Sequence, residues 1–419
     1  MENDKPSQPF TPYQKLIVAV ITFLQFTIVL DFMVLSPLSA ILLEELDITT
    51  TQFGLAVSAY AFSAGISGVL VAGFADQFDR KRLLLFFYFG FIIGTFLCGF
   101  APNYEFLLIA RVITGLFGGV IGAVSFAIIT DLFPLEKRGE VMGYVQMAFA
   151  ASQVLGIPLG LYMANNWGWH SPFLLIASIG SLVFVLIAVQ MKPVNTHLAK
   201  SSHTSPLRHL WRTLSKRPYF NAFMATTLLA TGGYMLMPFG AAFSVNNLGI
   251  SLEDLPLVYM ITGIFTLFSG PLIGRLSDKT GKYKVFFWGS ILTMVMILIY
   301  TNLGITPLWL VIVLSCLVYI GVTSRIISSS ALMTAVPDTD DRGAFMSVSS
   351  SIQQLSGGIA AAAAGMIIFQ EESGYIQHYP TLGIVVAITM ALTILLMLLV
   401  NRYVQAKERK EKAPKVLTP

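Results

Sequence analysis

Charge is scarce in this chain: only 11% of its 419 residues are Asp, Glu, Lys or Arg. A water-facing domain carries about 25%, so a soluble particle of this size would have too few charges to coat it. The outside is therefore expected to face lipid. Cysteine is nearly absent. Cys98 and Cys316 both sit inside apolar runs, which marks them as packing residues rather than a disulfide or a metal pair. None of the five histidines (His170, His197, His203, His209, His378) falls within an apolar run. No metal-ligand spacing, phosphate loop or nucleophile motif is present, so no metal and no cofactor is expected. A membrane enzyme would need several titratable groups clustered at one membrane face. The apolar runs offer only Asp31, Arg111 and Arg325, and the chain is not expected to be an enzyme.

What is abundant is apolar length. Hydrophobic residues make up 55% of the chain and the mean hydropathy is +0.74. Runs of about 20 apolar residues, enough to cross a hydrocarbon core of about 30 Å, recur throughout. They predict an all-α integral membrane protein with twelve spans, near 16–41, 53–74, 83–101, 104–130, 139–163, 171–191, 219–245, 256–276, 285–303, 306–335, 342–369 and 380–401. The polar start (MENDKPSQPFTPYQK) and the long run after it do not read as a cleavable signal, so the first span is expected to be retained. The longest connection, 192–218, is polar and basic. It divides the chain into an N-terminal bundle (1–191) and a C-terminal bundle with a basic tail (219–419), six helices in each.

Basic residues fix an expected orientation. Of the 26 Lys and Arg residues, 24 lie in the two termini or in alternate connections, and the remaining connections (EELDITTTQ, PNYE, NNWGWHS, NNLGISLED, EESGYIQHYP) hold none. The positive-inside rule puts both termini in the cytoplasm, which requires an even number of spans. The net charge of +4 is thus a membrane signal and predicts no nucleic-acid partner. No outward loop carries an N-x-[ST] acceptor, which favours a bacterial inner membrane.

The two halves repeat one another. DLFPLEKRGEVMGYVQ follows the fourth span and AVPDTDDRGAFMSVSS the tenth, with Arg138, Gly139 and Met142 matching Arg342, Gly343 and Met346 at a constant offset. GFADQFDRKR after the second span matches GRLSDKTGKYK after the eighth. These loops resemble the signature of the major facilitator superfamily, approximately G-x-x-x-D-[RK]-x-G-[RK]-[RK]. Gly274, Asp278, Lys279, Gly281 and Lys282 fit it. The first copy keeps Asp76, Arg80 and Lys81 but has Ala72, Gln77 and Asp79 at three signature positions. RVITGLFGGVIGA resembles the family's R-x-x-x-G-x-x-G-G element (Arg111, Gly115, Gly118, Gly119), and GIPLG (Gly156, Pro158, Gly160) partly matches the glycine–proline motif of its antiporters. The resemblance covers essentially the whole chain. It implies a twelve-helix transporter with two pseudo-symmetric bundles, most similar to drug–proton antiporters and to permeases that export sugars or nucleosides.

Asp76, Arg80, Lys81, Asp131 and Arg138, with Asp278, Lys282 and Arg342 in the second half, are expected to form loop charge clusters that gate the cytoplasmic face. A carboxylate at a facing helix N-terminus gains about 0.3–1 kcal/mol there. Glycines four apart (Gly115 and Gly119, Gly156 and Gly160) also serve plain helix packing.

Asp31 is stranded within the first span, about 15 Å below the outer surface, and Arg111 lies about 10 Å below it in the fourth. A lone charge in hydrocarbon costs about 2.5–3.5 kcal/mol on insertion scales. Asp31 must therefore pair, meet water or take a proton. Burial favours its protonated form and a neighbouring cation favours the ionised one, with effects of similar size. Asp31 and Arg111 are thus the expected proton-coupling pair, and a permanently ionised structural pair is the competing expectation. Gln25, Tyr60, Gln146, Gln153, Tyr234, Gln353 and Gln354 are cavity candidates. Arg325 in the tenth span is another, with snorkelling toward the interface as its competing expectation. GGYMLMP in the seventh span marks a place where a helix can kink. The whole predicts a monomeric, lipid-embedded exporter of a small organic solute by proton antiport. Uptake by symport and lipid export on the same scaffold are the alternatives.

Overall fold

The computed structural model describes residues 10–72, 77–195, 216–338 and 342–412. Asp76 lies outside them, as do the side chains of Gln146 and Arg342. The described chain is almost wholly helical. In the first half, α1 is Pro12–Val34, α2 Ser39–Glu45, α3 Thr50–Ala72, α4 Arg80–Gly99 and α5 Tyr104–Leu132. There follow α6 Leu135–Ala151, a π turn Ser152–Gly156, α7 Ile157–Trp167 and α8 Ser171–Gln190. In the second half, α9 is Arg217–Leu236, a 3₁₀ turn spans Met237–Phe239, and α10 is Gly240–Asn246. Then come α11 Leu255–Thr280, α12 Lys282–Tyr300, α13 Leu308–Ala335, α14 Arg342–Ile367 and α15 Tyr379–Lys412. A two-residue pairing, β1 Phe369–Gln370 with β2 Ile376–Gln377, closes the loop before α15.

Local chemistry sets the ends. Thr11 and Gln14 form a reciprocal capping box ahead of Pro12, and Asn103 accepts from the Phe106 amide at 3.0 Å to open α5. Among the described residues, eleven helices are long and apolar enough to cross a membrane. A further long helix, α14, has 26 residues, a length of about 39 Å, but carries SVSSSIQQ in place of aliphatic residues. It packs along α3 and α9 in the interior, so it has less need of a lipid-facing surface.

Three spans depart from the continuous helices expected of them. The first breaks at 35–38, where Pro37 has no amide for the carbonyl of Met33. The seventh tightens at Met237–Phe239, where Pro238 leaves the carbonyl of Tyr234 free in the same way. The fifth carries the π turn just ahead of Pro158.

The apolar core falls into three clusters. One draws on both halves, joining residues such as Leu38, Phe53 and Leu161 to Phe239, Leu248 and Ala361. It lies on the side away from the termini. On the terminal side the two halves keep separate cores. The first is built around Leu84, Phe91 and Ile128, and the second around Tyr219, Phe286, Phe345 and Met397. The cross-half hydrogen bonds follow the same division. Thr50 donates to the Ile368 carbonyl (2.8 Å), Thr51 to that of Gly365 (2.9 Å), and Ser58 to that of Gly358 (2.8 Å). Asn165 donates to the Leu252 carbonyl (2.6 Å), and the Ala242 amide to Ser39 (3.1 Å). Glycine lets α3 and α14 touch: a Cβ built on Gly54 would stand 2.8 Å from the Ala361 oxygen.

Candidate functional site

Asp31 and Arg111 meet at the centre of the first half. Arg111 Nη1 donates to Asp31 Oδ2 at 2.9 Å, and Thr95 Oγ1 donates to Oδ1 at 3.2 Å. The two charged residues are 0% and 1% exposed, so the pair lies in a medium that screens it little. The glycine face of α5 seats that helix closely on α3 beside the pair. Gly119 rests against Ala64 of α3, and a Cβ there would meet the Ala64 Cα at 2.5 Å. Gly115 sits as closely on Tyr60 and Ser63. The guanidinium also stacks over the Tyr60 ring, 4.6 Å from its centroid, while its Nε has no acceptor among the described residues.

Aromatic rings carry the contact from this pair into the second half. Phe32, next to Asp31, stands 5.3 Å from the Tyr60 ring and 5.8 Å from that of Tyr234. The Tyr234 hydroxyl donates to Gln354 Oε1 at 3.3 Å. The path therefore runs Arg111, Asp31, Phe32, Tyr234, Gln354 and touches α5, α1, α9 and α14. Ring pairs at such distances contribute about 0.5–1.5 kcal/mol beyond area burial.

The other cavity candidates do not converge on this path. Gln25 is half-buried on α1, six residues or about 9 Å nearer the termini than Asp31. Gln153 lies half-buried in the π turn, and Gln353 is exposed on α14. Gln146 belongs to α6, with its side chain outside the described residues. Arg325 does not snorkel. It is 5% exposed, with its guanidinium 5.9 Å from the Phe286 centroid, and its Nε and Nη2 lack acceptors among the described residues.

The loop residues sort by half. Arg80 pairs with Asp131 (3.4 Å), Lys81 donates to the Ala188 carbonyl (2.8 Å), and Arg138 donates to the carbonyls of Phe133 (3.0 Å) and Thr130 (2.7 Å), closing the end of α5. All four contacts stay within the first half. Asp79, which stands where the family signature has glycine, caps α4 by accepting from the Arg82 amide at 2.9 Å. In the second half Lys407 of α15 pairs with Asp338 (3.1 Å) and donates to the Pro337 carbonyl (2.8 Å). Asp278 is exposed and Lys282 half-buried. Asp76 and the Arg342 side chain lie outside the described residues. In the fifth span, Gly156 packs on Leu30 and Gly160 on Val34, both of α1, and Pro158 is buried.

Phe32 and Thr95 are the site residues that residue type alone missed. Thr95 is a mid-span hydroxyl in IIGTFL, a signal available from the sequence. Phe32 is one of 31 phenylalanines and nothing in its local pattern sets it apart.

Comparison with known proteins agrees with this architecture. The MFS-type transporter YceJ of Bacillus subtilis (strain 168) is 28% identical over 270 residues, covering 64% of this chain and 68% of the relative. A probable sugar efflux transporter of Helicobacter pylori (strain G27) is 23% identical over 339 residues, covering 80% of this chain and 83% of the relative. The crystal structure of a D-xylose–proton symporter superposes with a TM-score of 0.70 at 17% identity, over 90% of this chain and 97% of that one. At that identity the likeness is one of fold. The Major Facilitator Superfamily model matches residues 21–361 and 222–419. The chain is a membrane transporter that belongs to the Major Facilitator Superfamily.

Proposed function

We propose that the protein exports a small organic solute, of the sugar or nucleoside size class, in exchange for protons, with Asp31 as the proton-carrying group. The observation that carries this reading is the fully buried Asp31–Arg111 pair, whose carboxylate has only Arg111 and Thr95 as donors among the described residues. An ion pair this deep costs more to desolvate than its attraction readily returns, and intramembrane ionisable groups mark function by default. Arg111 reaches Asp31 through Nη1 alone, with Nε unpartnered among the described residues and one face on a ring, so a small shift of the guanidinium breaks the pair. When the guanidinium shifts, Asp31 is left with a hydroxyl and an apolar wall and takes up a proton. When it returns, the proton leaves.

The mechanical side rests on two six-span bundles, 1–191 and 219–419, joined by the 192–218 linker. The side away from the termini is sealed by the shared core and the cross-half bonds, while the terminal side keeps separate cores. With the termini in the cytoplasm of a bacterial inner-membrane protein, this is the inward-facing form. A solute entering there reaches Tyr234 and Gln354, and Phe32 relays its arrival to the Asp31 segment. The names of the sugar efflux relatives support export. The fold shared with a proton symporter keeps uptake by symport as the second reading.

The test is transport by purified protein in liposomes under an imposed pH gradient. Asp31→Asn is expected to lower proton-driven flux at least about 100-fold while leaving gradient-free solute exchange intact. Driven flux within a few-fold of the wild type would overturn the assignment of Asp31.

A further inference from the structure

Arg325 poses a problem that the transport cycle proposed above does not use. It lies in α13 about ten residues, or 15 Å, from the terminal-side end, and is 5% exposed. A guanidinium cannot shed its charge in a protein, so burial does not neutralise it. Its Nε and Nη2 hydrogens have no acceptor among the described residues, and the Phe286 ring lies 5.9 Å from its guanidinium carbon. A buried cation is ordinarily paired, and Arg111 in the other half is.

The internal repeat shows that the fold itself does not require a cation here. The offset of 204 that separates Arg138 from Arg342 also separates the start of α5 (Tyr104) from that of α13 (Leu308). Under it, Arg325 corresponds to Ile121, a fully buried aliphatic residue in the core of the first half. The second half therefore carries a charge where the first has isoleucine, with no carboxylate paired to it among the described residues.

The neighbourhood is rich in hydrogen-bond donors. Ser290 sits one turn along α12 from Phe286 on the same face, is 0% exposed, and its Oγ is likewise without a partner. α12 and α13 are in tight register here, since a Cβ on Gly289 would stand 2.5 Å from the Ser324 Cβ. Two guanidinium N–H groups of α13 and one hydroxyl of α12 are thus unsatisfied on helices that pack directly against each other, each beside the Gly289–Ser324 contact in sequence. All are donors or donor-capable. Such a set fits a ligand that only accepts and carries negative charge.

We propose that Arg325, with Ser290, binds a small monovalent anion inside the second half. The shared chemistry is a compact acceptor of one negative charge, supplied either by a halide ion or by the carboxylate of a carried solute. In either case it replaces the missing protein carboxylate and is expelled if α12 and α13 separate.

The full-length protein in detergent tests this through its thermal unfolding at constant ionic strength. Sodium chloride, sodium acetate and sodium gluconate are compared, with gluconate as the bulky reference anion. The expected result is a saturable rise in Tm of at least about 2 °C with chloride or acetate relative to gluconate. Chloride acting alone identifies a halide site, and acetate acting as well as or better than chloride identifies a carboxylate site. Arg325→Met keeps length and apolar bulk without the charge. It is expected to fold and to lose the anion response entirely. Ser290→Ala retains the cation and is expected to weaken the half-saturating concentration about 3- to 10-fold. A Tm equal in the three salts, or the same response in wild type and Arg325→Met, would overturn the proposal. Because the readout is stability, failure here is separable from failure of the assignment of Asp31.

Discussion

The two halves solve the problem of a buried arginine in opposite ways. In the first, Arg111 has a carboxylate at 2.9 Å, a ring beneath it and a hydroxyl completing the carboxylate. In the second, Arg325 has the ring but neither carboxylate nor hydroxyl acceptor among the described residues. Repeats that share a fold need not share chemistry. Span length is kept, with 29 residues in α5 and 28 in α13, while the charged positions have moved: the repeat partner of Arg111 is Ser315 and that of Arg325 is Ile121. A charge that the duplicated fold can do without is a charge available for work, and each half has placed its own at a different depth.

The largest effect that sharpens this contrast is on stability. Arg111→Met strands Asp31 and is expected to cost about 3–5 kcal/mol, because it leaves an uncompensated buried charge. Arg325→Met strands nothing in the protein and is expected to cost little, or to stabilise, in an anion-free buffer. Denaturant midpoints for the two variants measured side by side read this out, and equal losses would end the comparison. Next in size is Ser290→Asp, which offers the second half its own carboxylate. It is expected to gain about 1.5–3 kcal/mol of charged hydrogen bonding over the wild type without anion and to abolish the response to added chloride. A drop in Tm in every salt would show that Ser290 does not face Arg325. The smallest effect concerns the seam between halves. Ser58→Ala removes the bond to the Gly358 carbonyl and is expected to cost the closed side about 0.5–1.5 kcal/mol. The measurement is the labelling rate of a cysteine placed at the seam, which should rise several-fold. An unchanged rate would mean that apolar packing alone holds that side shut.

How much of this was legible in the sequence follows from the kind of force at work. The all-helical membrane architecture is governed by local apolar length, and helix starts by capping residues such as Thr11 and Asn103, so both could be read directly. The Asp31–Arg111 meeting was also legible, because two charges at similar depth in a medium of low dielectric have few alternatives. The convergence of Tyr234 and Gln354 with Phe32 was not, since it depends on the rotation of α9 and α14 about their axes, which polar residue type does not encode. Gln25, Gln153 and Gln353 have the same composition signal and lie elsewhere. Of the two expectations for Arg325, snorkelling fails for a related reason. Snorkelling needs an open path to the interface, and Phe286 with the surrounding core closes it. The loop residues were easier to find than to assign: Arg138 closes a helix end, and Asp79, an apparent departure from the signature, is a cap.

The π turn at Ser152–Gly156 bears on how the fifth span can behave. It holds one residue more than a regular helix of the same height, so α6 and α7 run out of phase with each other. Ironing out that surplus would rotate α7 by about 100° relative to α6. Asn165 would be carried off the Leu252 carbonyl and Gly156 off Leu30, the immediate neighbour of Asp31. A slip of a single residue in one helix would thus loosen the seal on the side away from the termini and jolt the Asp31 segment in one stroke, with no hinge loop required.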